Sequence, residues 1–196
     1  MKYIGITPEG FLPGEECLIA ALLDHGLDRL HLRKPGASHH EVEQLLRTIP
    51  DRCYSRIVLH DHFELAATYR LAGVHLNRRN PEPPAPADGY TPALSRSCHT
   101  IAELAHGEGY AYQFLSPLFD SISKQGYTAG FIPDELTEAA SQGIIGERVI
   151  ALGGITPERM AAVRAWHFGG VALLGYLWQD PTPEGVVARL KRIRTV

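Results

Sequence analysis

Cysteine is scarce in this chain: Cys17, Cys53 and Cys98 are the three among 196 residues, and no CxxC or CxxxxC spacing relates them. An odd, scattered set excludes a disulfide framework and leaves reduced, structural thiols as the expectation, with Cys98 the one nearest candidate chemistry. Long hydrophobic runs are missing too. The apolar stretches are strand-sized, far short of the roughly 20 residues a membrane helix needs, and the opening MKYIGITPEG carries no signal-peptide apolar segment, so a cytoplasmic protein with no membrane partner is expected. A basic surplus is also lacking. With a formal net charge of -3 the electrostatic case for a nucleic-acid partner fails, and any anion must be held locally.

What is present is ordinary for a globular protein, 44% apolar and 21% charged residues with no composition break, which predicts a single domain over 1–196. Eight β-like runs recur: YIGIT, RLHLRK, RIVLHD, GVHLN, ALSRSC, YQFLSPLF, RVIALGG and GVALLG. Segments such as EECLIAALLDHG and HHEVEQLLRTIP lie between them, with apolar residues at helical spacing and often a Ser, Thr, Asp or Pro start signal. Strands alternating with helices imply parallel pairing through crossover helices, and eight such units predict an α/β fold of the (β/α)8 TIM-barrel kind. The chain is short for that fold, and NRRNPEPPAPADGYTP shows where the saving falls: its prolines forbid a regular helix, so a Pro-rich loop is expected in place of the fourth helix. The rival open doubly wound sheet would show a Gly-rich fingerprint after its first strand, which GITPEG does not supply.

Functional groups collect at the carboxyl ends of barrel strands. Reading those ends gives His31, Arg33 and Lys34; His60 and Asp61; His75, Asn77 and Arg78; Ser97 and His99; Ser121, Ser123 and Lys124; Gly153 and Gly154; and Gly175. The stretch SPLFDSISKQG pairs two hydroxyls with an ammonium, the donors a phosphate needs, although a solvated turn has the same composition. ALGGIT and GVALLG are paired Gly-ended strands before a helix start, the usual phosphate cradle of a barrel. Asp61 reads either as a helix N-cap or as a hard oxygen ligand for Mg²⁺. His31 and Arg33 alternate onto one face, His75 is equally a core residue or a catalyst, and the many histidines do not form an HExxH zinc pattern.

These motifs together resemble the thiamine phosphate synthase and TenI-like superfamily over nearly the whole chain. The carriers are HLRKPG, VLHDHFELAATYRLAGVHLNRRN, SCH, SPLFDSISK and ALGGI, in that order. The resemblance implies an enzyme of thiamine biosynthesis that joins a hydroxymethylpyrimidine diphosphate to a thiazole phosphate and releases diphosphate. It implies Arg33 and Lys124 on the leaving diphosphate, Asp61 on Mg²⁺ and Ser97 on the pyrimidine. Ser121, Ser123, Gly153 and Gly154 would hold the thiazole substrate or its phosphate, and the cradle reading of GVALLG adds Gly175 to the phosphate site. Partners would be phosphorylated small molecules, with a homodimer left open. The chain departs from the family pattern at several places. Asn80 stands where a second magnesium aspartate is expected, offering a carbonyl without charge. Arg78 and Arg79 replace a Gln-Glu pair and would partly take over a cation's role. His60 replaces an asparagine, and Lys34 sits one place before the expected lysine, at Pro35. Two alternatives share the fold: a TenI-like thiazole tautomerase using His31, His60, His75 or His99 as acid and base, though its strand-six histidine falls on Pro117, and a phosphate-ligand binding protein without catalysis.

Overall fold

The computed structural model describes residues 1–87, 89–120 and 130–196. Eight parallel strands close into a barrel in chain order: β1 (Lys2–Ile6), β2 (Arg29–Leu32), β3 (Ile57–Leu59), β4 (Gly73–Leu76), β5 (Ala93–Cys98), β6 (Tyr112–Leu115), β7 (Val149–Leu152) and β8 (Gly170–Leu173). Closure comes from β8 against β1, with Lys2 opposite Gly170 and Gly5 opposite Leu173. Around the sheet lie α1 (Glu15–Asp24), α2 (His39–Thr48), α3 (Glu64–Thr68), α4 (Ile101–Leu104), α5 (Pro133–Ser141), α6 (Met160–Ala165) and α7 (Pro183–Arg194). Among the described residues no helix joins β4 to β5, where the prolines predicted its loss. No helix there is long and apolar enough to cross a membrane.

Local chemistry accounts for several boundaries. Ser38 opens α2 with a reciprocal cap, its Oγ accepting from the Glu41 amide at 3.3 Å while the Glu41 carboxylate accepts the Ser38 amide at 2.8 Å. The hydroxyls of Thr100 and Thr182 cap α4 and α7 from one side, accepting the Glu103 and Gly185 amides. The strand side chains alternate with period two. Leu30, Leu32, Val74 and Leu76 face outward into the large core under the helices, whereas Ile4, Ile6, Tyr112, Phe114, Ile150 and Ala172 form a second cluster inside the barrel. The apolar half of that interior comes from β1, β6, β7 and β8. On the other half, the buried side chains of His31, His75 and Ser95 come from β2, β4 and β5, and His60 follows β3.

Candidate active site

A cavity of about 610 Å³ opens at the carboxyl ends of the strands. Ile6, Phe114, Leu152 and Leu174 supply its apolar lining, and Arg33, Arg78, Arg79 and Arg96 form part of its wall, with His60, Ser97, Cys98 and His99 between. Of the residues singled out in the sequence, Arg33, His60, Asn77, Arg78, Arg79, Ser97 and His99 meet here. Arg33 is set by its own backbone, whose N–H donates to Thr7 Oγ1 at 2.9 Å, and its side chain reaches Glu9 at 2.9 Å. Arg96 escaped the sequence reading because strict alternation along β5 sends it away from the barrel interior. Its guanidinium instead donates to the carbonyls of Glu103 and His106 and lies 4.5 Å from the Tyr110 ring centroid.

Lys34, the neighbouring strand-end cation, is not part of the site. Its ammonium is buried against Glu15 at 2.7 Å and donates to the carbonyls of Pro8 and Gly10, so its charge is spent tying β2 to the β1–α1 loop. The three cysteines are free, as their spacing predicted, and burial pushes the Cys98 thiol up.

Beneath the cavity His31 Nδ1 lies 2.9 Å from His60 Nε2, and His31 Nε2 lies 2.7 Å from the Tyr112 hydroxyl. His75 is held between Ser95 and Ser97, 2.9 Å from each. Burial holds His31 and His60 well below the ordinary histidine value and lowers His75 to about 3, while the same cause raises Tyr112 to about 12. At neutral pH all of these rings are therefore uncharged. The three imidazoles come within metal-ligand range of one another, a cluster that no local spacing could reveal because each comes from a different strand. Their pairing argues against an ion: both His75 nitrogens are engaged by Ser95 and Ser97, and both His31 nitrogens by His60 and Tyr112. His31 thus lies behind the cavity wall, against His60 and, at 4.8 Å between ring centroids, Phe114.

Gly153 and Gly154 follow Leu152 with φ of 104° and 63°, and residues 117–120 pack directly on them. A Cβ on Gly153 would sit 2.9 Å from Pro117 Cα, and one on Gly154 would collide with the Asp120 carbonyl oxygen. Glycine is needed here for conformation and for close approach alike. Gly175 follows Leu174, itself a lining residue. Ser121, Ser123 and Lys124 lie outside the described residues.

The departure at Asp61 is the most specific feature of the site. Its carboxylate accepts from Arg79 Nε and Nη2 at 3.0–3.3 Å and from the Asn80 side-chain amide at 3.0 Å. Asn80 therefore presents N–H groups to Asp61, not its carbonyl, and donates also to the His60 carbonyl at 2.9 Å. The two side chains that the resemblance assigns to Mg²⁺ hold each other and a guanidinium, and in this arrangement they do not fit a divalent ion. Arg79, not Arg78, makes the contact; Arg78 has no ion-pair partner among the described residues.

The profile of the thiamine monophosphate synthase family matches residues 6–177. The chain belongs to that family. The thiamine-phosphate synthase of Bacteroides fragilis is 29% identical over 191 residues, covering 89% of each chain, and that of Cronobacter sakazakii is 29% identical over 188, covering 91% of this chain and 88% of its own. A solved thiamine phosphate pyrophosphorylase from Bacteroides thetaiotaomicron superposes with a TM-score of 0.85 at 37% identity, over 100% of this chain and 96% of that one. The Pyrococcus furiosus protein of the same description gives 0.73 at 18% identity, over 99% of this chain and 96% of its own, a likeness of fold. Membership makes this an enzyme fold of thiamine biosynthesis, and its family landmarks fall at the carboxyl ends of the strands, where the cavity lies.

Proposed function

We propose that this family member is a thiamine phosphate synthase, a transferase that joins a hydroxymethylpyrimidine diphosphate to a thiazole phosphate. The observation that carries the reading is the concentration of four arginines on one cavity in a chain of net charge -3. As diphosphate departs, negative charge builds on its oxygens, so fixed cations stabilise the transition state more than the ground state. Arg33 and Arg78 take the diphosphate in this reading, and the resemblance adds Lys124. Ser97 contacts the pyrimidine with its hydroxyl oriented by neutral His75, while the Gly153–Gly154 turn, Gly175, Ser121 and Ser123 receive the thiazole phosphate. The apolar lining excludes water from the electrophilic carbon until the thiazole nitrogen attacks it, the C–O bond to diphosphate breaking as the C–N bond forms.

Incubation of the protein with both substrates, in parallel with Mg²⁺ and with chelator, tests this: thiamine phosphate and diphosphate should appear in equal amounts. A folded protein that forms neither product under either condition sinks the reading. Proton-transfer chemistry on a thiazole phosphate is the second reading, favoured by His60, a neutral imidazole on the cavity wall; it predicts chelator-insensitive solvent exchange into that substrate without diphosphate release.

A further inference from the structure

We propose that the Arg79 guanidinium, held by Asp61, whose carboxylate also accepts from the Asn80 amide, is a resident cation that binds the diphosphate in place of a divalent metal. This rests on the diphosphate reading above and concerns how the charge is met. Three observations converge. The first is the clamp itself: Nε and Nη2 of Arg79 occupy one edge of the guanidinium on Asp61, which is 15% exposed at its side chain. Among the described residues no hydrogen bond engages Nη1 on this cavity-lining side chain, and a guanidinium fork binds phosphate oxygens through such hydrogens.

The second is the turn that carries it. Asn77 and Asn80 exchange backbone hydrogen bonds at 3.1 Å, and Asn77 Oδ1 accepts the Arg79 amide at 2.9 Å, so Arg79 leaves the barrel from a closed loop and not from a free strand end. The third is Asn80. Its amide spends its hydrogens on Asp61 and the His60 carbonyl. A carboxylate at that position would face two acceptors and demand a cation between them; an amide needs none.

Calorimetric titration of inorganic diphosphate into the full chain, once in chelator and once in Mg²⁺, decides the matter. The parent should bind with dissociation constants agreeing within about threefold. Arg79→Ala should bind at least about tenfold more weakly in chelator, a loss of about 1.4 kcal/mol, and Mg²⁺ should recover part of it because Asp61 is then free. Arg79→Lys keeps the charge and should recover most of the affinity, which separates loss of a cation from loss of fold. Asn80→Asp should make binding more dependent on Mg²⁺. The proposal is overturned if the parent binds diphosphate only with Mg²⁺, or if Arg79→Ala binds in chelator as the parent does. Absence of diphosphate binding under both conditions overturns the diphosphate reading and this proposal with it.

Discussion

Arg33 and Lys34 are adjacent cations at the end of one strand, and their fates are opposite. Arg33 faces the cavity, while Lys34 turns back into the protein, fully buried against a buried Glu15. Burial lowers the Lys34 pKa, and its pairing with Glu15 opposes that shift. Removing one partner of such a pair leaves an uncompensated charge in the interior, a loss of about 3–5 kcal/mol. Glu15→Gln should therefore lower the urea midpoint strongly, and adding Lys34→Met should restore much of the loss. Glu15→Gln alone unfolding like the parent would show that the pair carries no such weight. At the same end of the barrel, Gly154→Ala combines a left-handed backbone with a collision against residues 119 and 120, and should cost at least about 1–3 kcal/mol. Thermal melting of that variant with and without a thiazole phosphate separates a stability loss from a binding loss.

At the scale of elements, helix starts are written in short-range chemistry. The reciprocal cap at Ser38 satisfies amide groups that the first turn of α2 would otherwise leave open. Ser38→Ala should cost about 1 kcal/mol without altering the denaturant slope, and a shift in that slope instead would mean that more than a helix terminus had changed. The loop from β4 to β5 is the converse case. Its prolines remove the donors and the freedom a helix needs, yet its first residues, 77–80, are closed by side-chain and backbone hydrogen bonds and present two arginines to the cavity.

On the scale of the whole molecule, the neutral histidine cluster ties stability to pH. His75 has a pKa of about 3 in the folded chain against about 6.5 when unfolded, so the unfolded state binds more protons between those values. Stability is therefore complete above the unfolded value and falls as pH drops through that window. From pH 7 to pH 5 the loss for one such group is about 2 kcal/mol, and His31 and His60 act in the same direction. Urea unfolding at the two pH values measures this, with His75→Gln as the comparison that should flatten the dependence. A protein equally stable at both would mean that the rings do not stay neutral inside the barrel.

The sequence by itself determined the barrel, because alternation, helical spacing, capping residues and proline are all local signals: eight strands, the reciprocal cap at Ser38 and the helix missing after β4 follow from neighbours a few residues apart. It determined the family as well, through motifs whose order survives at modest overall identity. Contacts between distant segments were decided only by the tertiary structure. Glu15 claims Lys34 from 19 residues away, and Arg79 reaches Asp61 across 18. His31, His60 and His75 become one cluster only because closure of the sheet turns the same face of successive strands inward. Arg96 is a cavity residue although alternation points it outward, since the Glu103 and His106 carbonyls and the Tyr110 ring hold its guanidinium beside Glu103 and Tyr110, which also line the cavity. The physical reason is the same in each case: backbone geometry fixes which side a side chain starts from, and the three-dimensional neighbours available to its charge decide where it ends.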